Sequence, residues 1–166
     1  MSLIVETGAG VENANTYANV ETVSSYCTDM GYSTWASAST DDQESAILRA
    51  MSYIEAQNWK GVKKSNNNPL EWPRYNVLDR NGYIVSSEVV PTNVVKALSE
   101  AAYRESVSAG TMQAELEREG RVKKKKIDVI EVEYFEGASG ETSRPIIAGL
   151  LKGYIRSATS IEVIRS

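Results

Sequence analysis

The chain has 166 residues, 42% of them hydrophobic and 24% charged, which suits one globular domain with a buried core. It has no histidine and a single cysteine, Cys27, which excludes an intramolecular disulfide, a thiolate metal cluster within one chain and every histidine-based catalytic arrangement. A net charge of −4 argues against a dedicated nucleic-acid binder; without an apolar run of roughly 18–20 residues or an opening signal peptide, the chain reads as soluble, assembled in the cytoplasm, with no membrane partner.

Leu3, Ile4 and Val5 form a short β-type run ended by Gly8 and Gly10. The glycine spacing resembles a dinucleotide-binding loop. Asn13, however, stands where G-x-G-x-x-G needs its third glycine, and no helix opens directly behind it, so a loose turn and an N-terminal arm are expected. Asn19 is placed to cap a helix over about residues 20–30, with Val23, Tyr26 and Cys27 on one face and Gly31 ending it. Cys27 then reads as a small buried residue rather than a nucleophile. A connector carrying Trp35 follows. Thr40 to Gln43 reads as a capping box, with Thr40 the cap and Gln43 reaching back. The helix it opens spans about 41–57, with Ile47, Ala50, Met51 and Ile54 inward and Arg49 and Glu55 facing water.

Residues 62–69, with three successive asparagines, read as an exposed polar loop. Residues 70–83 form the stretch densest in aromatic and turn residues. Pro73 keeps Trp72 out of a helix, and Asn81-Gly82 predicts a type I′ hairpin turn between arms at Tyr75, Val77 and Tyr83, Val85. Two readings of this stretch stay open. Trp72 plugs the core between helices, or the aromatic and arginine side chains make a surface loop that meets a partner. Pro91 suits the first position of a helix over about 92–109, with Val94, Val95, Leu98, Ala101, Ala102 and Glu105 inward.

Arg121, Lys123, Lys124, Lys125 and Lys126 put five positive charges in six residues. A β-type segment follows, in which Ile130, Val132 and Tyr134 alternate with Glu131 and Glu133. The basic run could neutralise phosphates, line a surface near DNA, or guard an exposed strand against edge-to-edge pairing. The carboxylates that follow weaken any attraction of DNA, since the Debye length is roughly 8 Å at physiological salt. Pro145 starts a last helix over about 146–155, with Ile147, Leu150, Leu151 and Tyr154 inward. The tail, residues 157–166, regains β-character at Ile161, Val163 and Ile164 and suits strand addition to a neighbour.

These elements predict a mainly α fold, a small bundle of about four helices. It carries an inserted β-arm at 121–136 and extended N- and C-terminal segments, with one domain over 1–156 and a tail over 157–166. No catalytic, cofactor or metal constellation survives. Asp41-Asp42 is explained by helix capping and Glu131/Glu133 by strand alternation, and no P-loop, zinc or EF-hand spacing occurs. A non-enzymatic protein without cofactors is expected.

Three sets of residues carry a family resemblance. They are Leu3 to Tyr17, then Trp72-Pro73-Arg74 with Asp79-Arg80 and Gly82, then Val122-Lys123-Lys124 with Ile130 to Tyr134. They resemble a family of small tailed-phage proteins encoded in head and tail morphogenesis modules. These are often labelled DnaT-like single-stranded-DNA-binding proteins, and they look like head–tail connector (adaptor) proteins. As a connector, the resemblance implies a ring, commonly twelvefold, beneath the portal protein in the neck of the virion. It implies contacts with other copies of itself and with stopper or tail-terminator proteins, and a channel passing double-stranded DNA without sequence-specific binding. Trp72, Arg74, Arg80, Ile130, Val132, Tyr134, Ile161, Val163 and Ile164 would then serve subunit or portal contacts, and Arg121 with Lys123 to Lys126 would face the DNA. The DnaT-like label implies single-strand binding instead. Its signature would be Trp35, Tyr75 or Tyr83 lying exposed beside Lys123 to Lys126 as a stacking platform.

Overall fold

Asn19 caps the first helix as its side chain predicts: its Oδ1 accepts the Thr22 amide at 2.8 Å. The structure is a computed structural model and describes residues 2–113, 124–127, 130–133 and 144–156. The elements are α1 (Val20–Asp29), α2 (Ser33–Ser37), α3 (Thr40–Glu55), β1 (Val62–Lys63), β2 (Arg74–Tyr75) and α4 (Thr92–Val107). A 3-10 turn (Thr111–Gln113), β3 (Lys124–Ile127), β4 (Ile130–Glu133) and α5 (Pro145–Leu151) complete the order. The fold is therefore mainly helical, with small antiparallel hairpins, as expected.

Helix α4 is the central element, packed against α1, α2, α3 and α5. Its spacing explains why. Val94, Ala97, Leu98, Ala101 and Ala102 are all buried, a stripe rich in alanine that lets neighbouring helices approach on more than one side. Ile47 and Ile54 of α3 and Ile147 and Leu151 of α5 fill the layer around it. Each such side chain contributes about 1.5–3 kcal/mol on full burial. Trp35 and Trp72 are fully buried in the same core, so of the two readings of Trp72 the structure selects the plug.

Several local expectations shift. The N-terminal turn is not loose: the buried Glu6 carboxylate accepts the amides of Gly8 (2.6 Å), Gly10 (3.0 Å) and Val11 (2.6 Å), and Gly8 and Gly10 take the positive φ that this clasp needs. The connector holding Trp35 is itself a short helix, α2. The cap of α3 is Ser39, not Thr40; Gln43 reaches the Trp35 carbonyl at 2.8 Å instead of its own helix start. Glu55 turns inward, and Arg49 pairs with the buried Glu105. Pro91 occupies the cap of α4 rather than its first turn.

The loop over 62–69 is partly structured. β1 pairs antiparallel with β2, with Val62 opposite Tyr75 and Lys63 opposite Arg74, and Asn68 is buried. The Trp72–Pro73 peptide is cis. The basic run enters β3, which pairs with β4 from Lys124 opposite Glu133 to Ile127 opposite Ile130. The body closes on this insertion at both ends: the Arg144 guanidinium donates to the Thr111 carbonyl and lies 5.2 Å from the Tyr53 ring centroid. Arg121, Lys123, Tyr134 and the tail residues Ile161, Val163 and Ile164 lie outside the described residues.

Candidate functional site

The outward face of the two short hairpins is built by the register of their strands. Partners in an antiparallel pair share a side. Arg74 turns inward, donating from Nε to the Lys60 carbonyl (2.8 Å), from Nη2 to Gly61 (3.1 Å) and from Nη1 to Glu71. The other pair, Val62 and Tyr75, is therefore left on the solvent side, and both residues are exposed. Gly61 makes the approach possible, since its φ is +70° and a Cβ there would lie 2.1 Å from the Tyr75 carbonyl oxygen.

The next hairpin repeats this arrangement. The Val85 amide donates to Val77 at 2.9 Å, and Val77 is buried; Leu78 pairs with Ile84, and both are exposed. The turn differs from the type I′ expectation. Asn81 does not take positive φ, only Gly82 does, and the Asp79 carboxylate organises the loop by accepting the amides of Asn81 (2.8 Å) and Tyr83 (2.9 Å). The Tyr83 ring is left 72% exposed and Tyr75 is 43% exposed. Arg80, on the same turn, donates to the Gly149 carbonyl at 3.0 Å. Val62 and Tyr75 thus share an exposed side of the first hairpin and Leu78 and Ile84 an exposed side of the second, whose turn carries the exposed Tyr83 and the Arg80 guanidinium. Two lysines near it are engaged: Lys63 lies 3.9 Å from Glu71, and Lys64 holds Glu88 at 2.7 Å. That hydrogen bond, with the lysine's charge, lowers the Glu88 pKa below its ordinary value.

A buried polar network holds the segment between β1 and β2. The Tyr17 hydroxyl donates to Glu55 and accepts the Trp72 amide at 3.0 Å, while the second Glu55 oxygen accepts the Glu71 amide at 2.9 Å. Burial, then the neighbouring Glu55 charge, pushes the Tyr17 phenol upward; burial also raises Glu55. Two further carboxylates organise α4. Glu100 accepts from the Arg104 guanidinium (2.8 Å) and from the hydroxyls of Tyr26 (3.2 Å) and Tyr32 (3.1 Å). Glu105 accepts from Arg49 Nε (2.9 Å) and from the amides of Gly110 (2.7 Å) and Met112 (2.6 Å). These groups are saturated and structural. Cys27, raised to about 11 by burial and then by the Glu100 charge, keeps its proton at neutral pH.

The residues singled out in the sequence are thus divided. Trp72 and Arg74 are inside the fold and have no surface to present, and Trp35 is buried too. Tyr75 is exposed on β2, and Tyr83 and Arg80 lie together on the turn of the next hairpin. Lys124, Lys125 and Lys126 pair across to Glu133, Val132 and Glu131 in β3–β4, and Ile130 closes that ladder. Among the described residues no group of three histidine, cysteine or carboxylate side chains could hold a metal, and no helix is long and apolar enough to cross a membrane. Sequence reasoning missed the role of Leu78 and Ile84, which only their cross-strand pairing reveals; the alternation of Val77 and Val85 with them was the available signal.

A family model described as "Putative DnaT-like ssDNA binding protein" matches residues 1–166, the whole chain. No curated protein and no solved structure matches it significantly.

Proposed function

The chain belongs to the DnaT-like family, and from that premise we propose that it binds single-stranded DNA through the outward face of its two short hairpins. The observation that carries this reading is the exposure of two aromatic rings, Tyr75 on the first hairpin and Tyr83 on the second, with Arg80 on the turn that carries Tyr83. Aromatic rings stack on any base, so such a face binds without sequence preference. The overall charge of −4 limits the electrostatic contribution, so the affinity is modest and falls as salt rises. The test is fluorescence anisotropy with a labelled oligo-dT strand across a salt series. Absence of binding even at low salt sinks the reading.

A second reading rests on a different property of the same face. Leu78 and Ile84 are aliphatic, exposed and paired across their strands, and Val62 on β1 is a further exposed aliphatic, a composition that suits a protein partner better than a nucleic acid. This supports a head–tail connector, a non-enzymatic virion protein of the neck that forms a ring beneath the portal and extends the DNA channel toward the stopper or tail-terminator proteins. A channel wall of mixed charge would pass double-stranded DNA without gripping it. Native mass, measured alone and with the portal protein, tests this. A chain that stays monomeric and ignores portal rules it out.

A further inference from the structure

Beside the hairpin face, the end of α5 and the segment after it enclose a basin of about 350 Å³ lined by Ala148, Gly149, Lys152, Ile155 and Arg156. Arg80 reaches it from the hairpin turn, with Nη2 on the Gly149 carbonyl at 3.0 Å. The backbones are equally close: a Cβ on Gly153 would lie 3.2 Å from the Arg80 amide nitrogen. Two cationic side chains, Lys152 and Arg156, therefore line one small concavity, and a third, Arg80, abuts it through the Gly149 carbonyl. None of the three has a carboxylate within 4 Å among the described residues. Asp79, the acid beside Arg80, spends an oxygen on the amides of its own turn.

Cations at a helix C-terminus have an ordinary explanation, the favourable interaction with the last carbonyls. Arg80 fulfils that role directly. Lys152 and Arg156 do not: both are exposed, and no side-chain hydrogen bond engages either head group among the described residues, Arg156 being tied only through its backbone amide to Asn58 at 2.7 Å. The floor is apolar, formed by Ala148, Gly149 and Ile155, with open space over Gly149, where a Cβ would meet nothing within 4 Å. Cations on the rim over an apolar floor match a phosphate joined to a sugar or base.

We propose that this basin is a phosphate-binding site that takes a backbone phosphate of single-stranded DNA, next to the base-stacking ring of Tyr83. The proposal deepens the single-strand reading and rests on it. Arg80 and Tyr83 stand on one turn, so a strand whose base stacks on Tyr83 has its backbone within reach of the basin.

The test is an NMR titration of the full chain with dTMP and, separately, with oligo-dT, following the amides of Gly149, Lys152, Gly153 and Ile155. Saturable shifts are expected with both ligands, reversed by inorganic phosphate. Gly149→Glu should weaken dTMP binding about tenfold or more by placing a carboxylate among the cations. The substitution meets open space and replaces glycine with a better helix former, so the fold is retained. Lys152→Glu, on an exposed position, should act in the same direction. Silent basin amides with dTMP, or a Gly149→Glu variant that binds dTMP as tightly as the parent chain, overturn the proposal. Oligo-dT bound with the basin silent overturns this proposal alone. A basin that binds dTMP in a chain blind to oligo-dT upholds the phosphate site and overturns the single-strand reading.

Discussion

The Tyr17 hydroxyl meets the Trp72 backbone, accepting its amide at 3.0 Å from a position 55 residues earlier in the chain. The same hydroxyl donates to Glu55, so one phenol links the N-terminal arm, the end of α3 and the start of the hairpin layer. Tyr17→Phe keeps the ring and removes this junction. The Trp72 amide would then be buried without a partner, at a cost of about 1–3 kcal/mol. Urea unfolding of the variant should show that loss; an unchanged midpoint would mean that the arm contributes nothing to holding the hairpins.

Glu55 makes stability depend on pH in a specific direction. Burial raises its pKa above the ordinary 4.5, so the native state keeps the proton to higher pH than the unfolded chain does. The native state binds more protons across the window from about 4.5 up to the raised value, so this group's contribution falls as pH rises through it and is recovered on acidification. Glu55→Gln should flatten the stability profile in the window that opens at about pH 4.5. Denaturant titrations at several pH values, compared between parent and variant, check the slope; parallel profiles would exclude the effect.

Glu105 has no exposed side-chain surface and faces one guanidinium and two amides. Removing it leaves the Gly110 and Met112 amides without their acceptor and opens the turn that follows α4. The Arg49 side chain is 35% exposed and can turn to water, so the cost of Glu105→Ala comes mainly from the unpaired Gly110 and Met112 amides, about 1–3 kcal/mol. Thermal denaturation would register this as a large drop in midpoint, and a drop no greater than for an exposed residue such as Glu21 would contradict the assigned role.

Tyr83 and Ile84 are neighbours on the same hairpin and separate the two functional readings. Both are exposed, at 72% and 81%, so Tyr83→Ala and Ile84→Ser should leave thermal stability nearly unchanged. If the face stacks bases, Tyr83→Ala loses about 1–3 kcal/mol of oligonucleotide binding, and Ile84→Ser loses little. If the face meets protein, Ile84→Ser is the variant that disrupts assembly with portal or with further copies. Oligonucleotide anisotropy and native mass spectrometry on the two variants read these outcomes side by side.

Much of the helical framework is legible from periodicity and caps. Asn19, the Ile47–Ile54 stripe and Pro145 mark their helices because those signals are local. The departures share a physical origin in contacts distant along the chain. Gln43 abandons its own helix start because the Trp35 carbonyl is available, and Glu55 turns inward because Tyr17 and the Glu71 amide meet it. The turn predicted as loose from Gly8 and Gly10 is instead organised by Glu6, whose carboxylate accepts the amides of Gly8, Gly10 and Val11. The candidate face was half visible: Tyr75, Tyr83 and Arg80 stood out by residue type, whereas Val62, Leu78 and Ile84 required the register. Lys152 and Arg156 carried no pattern of their own; the basin appears only when Arg80 arrives from the hairpin.

Residues 154–156 have a mechanical consequence. The Lys60 amide donates to Tyr154 and the Arg156 amide to Asn58, flanking the antiparallel bridge between Trp59 and Ile155. A pull applied beyond Arg156 along the strand direction loads these two bonds in shear, together, and not one after the other as in an unzipping hairpin. The exit point of the chain is thereby clamped onto the segment between α3 and β1, so tension enters the fold at Asn58–Lys60. A ligand or neighbour attached to residues past 156 would have to break both bonds at once before the chain could peel away from Trp59.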